Sequence, residues 1–342
     1  MFAGHYARTL FLAALLLAGA GAAAQDVADF YQGRTVTILV GSGAGGITDT
    51  SARIVGRYLE QYLPGTPTVI VQNMPGGGSV TMANHMYRRV APDGLTLGYP
   101  LPGILTAQLM EPNRARYDAR EFTWIGSLFK ATNTLSVRAP SPVQTIDDAR
   151  ETEIIIGSTG RGSPLYQFPA MTKALLDLPM RIITGYEGSG DITLAMDRGE
   201  VDGQGPALDY WEISRPGWVT DGSLVHLVHI GPRDAERIPD VPHLRDLVQS
   251  DRERRLVEFL EIGANLGWPL FAPPGVPEDR VNALRSAFGA LTQNAEFAAD
   301  VRQTIGSQLN PTVGEDLEAF VLEAIATPAA TVDEAKAILG LD

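Results

Sequence analysis

The 342-residue chain contains no cysteine. That absence removes disulfides, thiolate metal ligands, catalytic thiols and lipid attachment to a cysteine side chain. Histidine is scarce, with five in the chain. His226 and His229 lie three apart in a β-type run, where alternating side chains point to opposite faces. His85 sits in a helical stretch with no His or Glu four residues on, so no metal site follows. Past the first two dozen residues no apolar run approaches the roughly 20 residues of a membrane span. Neither G-x-x-x-x-G-K-[ST] nor G-x-S-x-G occurs, which leaves out a P-loop and a nucleophile elbow. Basic charge is short too: 27 Lys and Arg against 40 Asp and Glu give −13. Such a balance disfavours nucleic acid and anionic membrane surfaces as partners. It leaves an anionic small ligand open, because charges beyond a Debye length of roughly 8 Å are screened and local donors decide.

What is present begins with a leader. "MFAGHYAR" is short and carries Arg8, "TLFLAALLLAGAG" is apolar, and Ala22-x-Ala24 offers a small-residue cleavage site. This is the three-part layout of a secretory signal peptide over residues 1–24, and its apolar core is short for a span. The expected product is an exported protein starting near Gln25. It has 318 residues (342 − 24) and a charge of −14 once Arg8 is removed from −13. That length can bury a sizeable core and fits about two domains.

The rest alternates β-type runs with helical patterns. "TVTILV" (35–40) leads through a glycine loop into a helix over 49–63, with Ala52, Val55, Leu59 and Tyr62 on one face. "TVIVQN" (68–73), a helix over 81–90 and "LTLGYP" (95–100) follow. A second set runs through "LSVR" (135–138), "EIIIGS" (153–158), "RIITGY" (181–186) and "LVHLVHI" (224–230), with helices between. The C-terminal region is helical. This rhythm predicts an α/β fold of two lobes with mostly parallel sheets.

Three loops share one design. "GSGAGGITD", "GSTGRGSP" and "GYEGSGD" each follow a strand and precede a helix. Glycine lets the backbone approach a ligand, and free N–H groups of the first helical turn point at it. Ser42, Thr48, Ser158, Thr159, Ser163 and Ser189 add hydroxyls. Asp191 follows the third loop in a helix-capping position. Arg161 is either a partner for a second carboxylate or an exposed loop arginine. The first loop also fits G-x-G-x-x-G at Gly41, Gly43 and Gly46. A dinucleotide site, however, wants an acid at the end of the second strand, where Gln72 and Asn73 stand. A cleft for a small oxygen-rich anion accounts for all three loops. Hydrogen bonds to a charged group contribute about 1.5–3 kcal/mol each, so four or five reach the roughly 8 kcal/mol of micromolar binding after closure costs.

"FYQGRTVTILVGSGAGGITDTSARIVGRYL", "PTVIVQNMPGGGSVTMANHMYRRVAPDGLTLG", "RIITGYEGSGDITLAMDRGEVDG", "FAPPGVPEDRVNALRSAF" and "LNPTVGEDLEAFVLEAIATP" together resemble the Bug-type receptors. These are the extracytoplasmic solute-binding proteins of tripartite tricarboxylate transporters. The resemblance implies a type II periplasmic-binding fold, two α/β lobes joined by two crossing segments with the ligand between them. It implies capture of a di- or tricarboxylate, aromatic acid or similar organic acid without catalysis or cofactor, in the periplasm, for delivery to membrane permease subunits. The protein is expected to be a monomer. Carried over by position, the ligand contacts are Ser42, Gly43, Ala44, Gly45, Gly46, Thr48 and Asp49 from the first loop. The second loop gives Ser158, Thr159, Gly160, Arg161, Gly162 and Ser163, and the third adds Tyr186 with Ser189 and Asp191. Ala44 stands where the family often has proline, and Tyr166 and Gln167 where a histidine is common. "WIGSL" and "NLGWPLF" look like the crossings, which divides the chain into 26–126 plus 266–342 and 127–265. Two alternatives share the cleft. An exported hydrolase or lyase needs a nucleophile, base or metal that the spacing does not assemble, and a sensor subunit would present the ligand to a signalling partner.

Overall fold

The computed structural model describes residues 26–161 and 163–341. The expected leader, its cleavage point near Ala24, and Gly162 lie outside them. The β-branched run at 35–40 forms β1 (Thr35–Val40), followed by α1 (Ile47–Tyr62), β2 (Thr68–Asn73), α2 (Val80–Arg89), β3 (Thr96–Tyr99), α3 (Ile104–Met110) and β4 (Thr123–Ser127). The chain then builds β5 (Asn133–Arg138), β6 (Ile154–Gly157), α4 (Pro164–Leu176), β7 (Met180–Ile183), α5 (Ser189–Asp197), β8 (Gly203–Gln204), α6 (Leu208–Ser214), β9 (Leu224–Ile230) and α7 (Asp251–Leu266). It returns through β10 (Pro269–Ala272), α8 (Glu278–Thr292), α9 (Ala295–Ile305), β11 (Thr312–Val313), α10 (Gly314–Ile325) and α11 (Ala329–Leu339).

These strands make two sheets, ordered β11-β4-β10-β3-β1-β2 and β7-β6-β8-β5-β9. In the first, β1 runs parallel to β2 and β3, pairing Thr35 with Thr68 through to Val40 with Asn73. β10 is antiparallel to both β3 and β4. In the second, β6 is parallel to β7 and β8, while β5 is antiparallel to β8 and β9.

Both stretches read as crossings contain strand. "WIGSL" supplies most of β4, with Trp124 and Ile125 buried, and "NLGWPLF" contains the end of α7 and the start of β10. The reason is packing: Gly126 leaves room for the Phe288 ring, which a Cβ would strike, so a glycine that looks like a linker is a core contact. The chain passes from the first sheet to the second in residues 128–132 and returns through 231–268, a stretch that includes α7 and ends at Gly267 and Trp268.

The core follows the sheets. One cluster packs Val36, Ile38 and Val40 of β1 against Val55 and Leu59 of α1 and Phe288 and Phe297 of α8 and α9. Another fills the second sheet with Leu135, Ile156, Leu227 and Val228. A third spans the joint, bringing Met171 of α4 together with Phe259 of α7 and Val332 and Leu339 of α11. The last helix therefore leans on both lobes. α7 opens with a reciprocal cap, in which Ser250 Oγ accepts from the Glu253 amide and the Glu253 carboxylate accepts from the Ser250 amide. Its 16 residues reach about 24 Å from the second lobe to the first sheet. Among the described residues no helix is long and apolar enough to cross a membrane.

Candidate functional site

Strand direction decides where the three glycine loops open. β4 and β3 are both antiparallel to β10, so Ser127 ends at the same edge as Val40, Asn73 and Tyr99. β5 is antiparallel to β8, so Asn133 starts at the edge where Gly157, Ile183 and Gln204 end. Residues 128–132 join those two edges. The loops after β1, β6 and β7 consequently open toward the joint between the sheets, the side on which ligands bind in open α/β folds.

The first loop is held from behind. The Gly41 amide donates to the Tyr99 carbonyl at 3.0 Å, and Ser79 Oγ donates to the Gly41 carbonyl at 3.0 Å. Asp49 is 3% exposed, and its carboxylate accepts from the Gly45 amide at 2.9 Å, from Arg53 Nε at 3.0 Å and from Asn73 Nδ2 at 2.8 Å. The Arg53 guanidinium, with help from the Gly45 and Asn73 donors, outweighs burial and holds this carboxyl down at about 2. Asn73 Nδ2 also donates to the Ser42 carbonyl at 3.0 Å. Asp49 therefore spends its acceptors shaping the loop. Gly45 turns at φ +89°, a conformation natural to glycine. Gly46 begins α1 with no side-chain cap, which leaves first-turn amides unclaimed by a cap beside exposed Gly43 and Ala44. Thr48 is buried, and its hydroxyl accepts from the Trp268 indole at 3.0 Å. Trp268 in turn packs at a tilt against Phe129 of the other crossing, ring centres 4.7 Å apart.

The second and third loops form one unit. The Gly185 amide donates to the Thr159 carbonyl at 2.9 Å and the Tyr186 amide to the Ser158 carbonyl at 3.3 Å. Ser158 is fully buried, and neither its Oγ nor Thr159 Oγ1 has a partner among the described residues. Gln204 Oε1 at the end of β8 is in the same position. Its Nε2 donates to Thr193 Oγ1 at 2.8 Å and to the Ser189 carbonyl at 3.1 Å, which fixes the amide. A buried polar atom without a partner is costly unless something else supplies one. Gly188 precedes α5 without a side-chain cap, as Gly46 precedes α1.

The remaining candidates are placed otherwise. Ser163 Oγ accepts from the Leu165 amide and caps α4, with Pro164 at the first helical position. Arg161 donates to the Gly340 carbonyl at 2.8 Å and ties its loop to the end of α11. Gly160 is part-exposed beside it, and Asp191 is solvent-exposed in the first turn of α5. Tyr186 lays its ring against the buried cluster around Ile192, Val201 and Trp211. Residues that carry the local geometry and were not singled out are Asn73, Ser79, Gln204 and Trp268. Only Asn73 had a signal, as the polar end of β2 where a dinucleotide site would have an acid.

Among the described residues one serine–histidine pair is hydrogen-bonded, Ser136 Oγ to His226 Nδ1 at 2.8 Å between β5 and β9. Ser136 is fully buried and also bonds to Thr134, so it has no path to a substrate. A bulge opposite Leu135 and Ser136 interrupts the alternation between His226 and His229. The two still have separate neighbours, since His229 packs edge-on against His243. No group of three or more His, Asp or Glu among the described residues could hold a metal. The arrangement offers backbone donors and hydroxyls to an anion and supplies no reactive group.

Comparison with known proteins gives a consistent set. The family model described as the tripartite tricarboxylate transporter family receptor matches residues 52–327. A UPF0065 protein of Cupriavidus necator is 29% identical over 289 residues, covering 81% of this chain and 79% of its own. The crystal structure of a TctC solute binding protein from Polaromonas, with no ligand, superposes with a TM-score of 0.70 at 20% identity, over 89% of this chain and 99% of that one. MatC from Rhodopseudomonas palustris, with bound malate, gives 0.61 at 23% identity over 87% and 99%. The fold is that of two-lobed periplasmic binding proteins.

Proposed function

The chain belongs to the family of tripartite tricarboxylate transporter receptors, and from that premise we propose that it captures a small carboxylate between its lobes and delivers it to the membrane permease subunits of such a transporter. The observation that carries this reading is the pairing of uncapped helix starts, Gly46 before α1 and Gly188 before α5, on edges that one crossing joins. Free amides there favour a negative charge. Ser158 Oγ, Thr159 Oγ1 and Gln204 Oε1 supply further polar atoms that a ligand, directly or through water, would satisfy. Family and geometry both speak for a binding protein and against an enzyme.

The lobes are taken as 26–126 with 266–342 and as 127–265. Residues 1–24 act as a leader, and the mature protein works in the periplasm as a monomer. The ligand sits against Ser42–Gly46 on one side and Ser158–Gly160 on the other, with Tyr186 at the rim. Malate, held by the Rhodopseudomonas palustris relative, is the first probe.

Binding to the closed form stabilises by about 2.7 kcal/mol at a hundredfold excess over Kd, which is a rise of several degrees in Tm for a domain of this size. A panel of di- and tricarboxylates and aromatic acids is expected to contain at least one such compound. A folded protein that shifts with none of them would refute the proposal.

A further inference from the structure

The first lobe has a second concavity, of about 610 Å³, whose walls include no residue of the three glycine loops. Arg88 and Arg89 from the last turn of α2 face Arg114 and Arg116 from the segment after α3, with His85 between them. The two walls are pinned together. Asn84 Nδ2 donates to the Arg114 carbonyl at 2.9 Å, Asn84 Oδ1 accepts from the Arg116 amide at 2.7 Å, and Arg88 Nε donates to the Arg116 carbonyl at 3.1 Å. Arg114 pairs with Glu111. Among the described residues the guanidinium groups of Arg89 and Arg116 have neither a hydrogen bond nor an ion pair. In a chain of net charge −13 this is a local reversal of sign.

The exposure of the lining selects the kind of partner. All four arginines are exposed, and no polar side chain in the walls is fully buried. A free phosphate or carboxylate would meet solvated charges that are weak one at a time. An extended acidic chain would meet several at once, and the opposite signs of the two fields would also steer its approach. The floor connects to the binding edge: the Arg114 guanidinium rests on Gly77, and two residues on Ser79 is bonded to the Gly41 carbonyl.

We propose that this arginine-lined pocket docks an acidic, periplasm-facing segment of the permease subunit that receives the solute. The inference rests on the receptor reading above. Docking here would place the partner against the turn that braces the first ligand loop.

The test uses the full chain and a deca-glutamate peptide, titrated by calorimetry at low and high salt. Inorganic phosphate and phosphatidylglycerol vesicles are titrated in parallel. Binding of the peptide at low salt is expected, weakened by salt and at least tenfold by Arg89→Glu with Arg116→Glu. The milder pair Arg89→Gln with Arg116→Gln should weaken it in the same direction, and both variants should keep the wild-type thermal response to cleft carboxylates. No peptide binding, or unchanged affinity in both variants, overturns the proposal. Equal capture of phosphate or of vesicles through the same arginines overturns it in favour of a small anion or a membrane. The receptor reading is checked by the carboxylate panel alone, so its failure would leave the peptide result legible.

Discussion

Trp268 donates its indole N–H to the Thr48 hydroxyl across 3.0 Å and lays its ring on Phe129. One side chain thus joins the return crossing, the outgoing crossing and the first turn of α1. The two crossings and the first glycine loop are a single mechanical unit.

Trp268→Phe keeps the ring contact and removes the donor. A hydrogen bond of this kind contributes about 1 kcal/mol, so a loss of that order is expected in denaturant unfolding. Affinity for the best carboxylate in the panel should fall about three- to tenfold, because the first turn of α1 loses its brace. Unchanged affinity with reduced stability would show that the brace serves the fold alone.

Asp49 makes a different forecast. Its carboxylate holds Gly45, Arg53 and Asn73 together. Asp49→Asn should weaken ligand binding at least tenfold without touching the ligand, and should speed hydrogen exchange at the Gly45 amide. The folded pKa of about 2 lies below the ordinary 3.8. The stabilisation is therefore full above about pH 4 and is lost as pH falls through 2. Wild type and variant should converge in stability only at that acid extreme. A Gly45 amide equally protected in both proteins would contradict the assigned role.

How much of this could be read in the sequence depends on distance along the chain. The glycine loops and β1 and β2 are local patterns, and both strands have the bounds that the apolar runs set. The Ser163–Pro164 helix start is local as well, since a capping serine before proline is a self-contained signal. The clamp of Asp49 by Asn73 spans 24 residues and exists because β1 and β2 pair in parallel with Val40 beside Asn73. No short-range pattern encodes that register. β4 was hidden because Gly126 and Ser127 look like a linker until Phe288, far along the chain, is brought over the glycine. Arg161 shows the same limit: its partner is the carbonyl of Gly340, 179 residues away.

Gly267 sits in the return crossing at φ +65° and ψ −135°, where a side chain is strained, and a Cβ would run into the Phe129 carbonyl oxygen. Gly267→Ala should cost about 1–3 kcal/mol from backbone strain alone, with more from the collision. Gly289 in the last turn of α8 has open space around its missing Cβ, so Gly289→Ala should stabilise by up to about 0.5–1 kcal/mol. The opposite signs, read as Tm shifts, separate a glycine required by the return crossing from one that is merely tolerated.

Two histidines of β9, His229 buried and His226 half-buried, set the acid limit. Burial pulls both His226 and His229 down to about 4, with nearby His243 and Arg233 adding to the effect at His229. In the unfolded chain both return to about 6.5. Between those values the unfolded state binds more protons than the folded one, so stability is complete above about pH 6.5 and falls as pH drops toward 4. Each histidine contributes a slope approaching 1.4 kcal/mol per pH unit, well above the window in which Asp49 acts. His226→Gln keeps a hydrogen-bonding group near Ser136 and removes one titrating site. Stability measured by urea unfolding from pH 7 to pH 4.5 should therefore decline less steeply in the variant by about one proton. Equal slopes in the two proteins would mean that His226 keeps its ordinary pKa in the folded state, and that its half-buried place beside Ser136 between β5 and β9 does not hold it neutral.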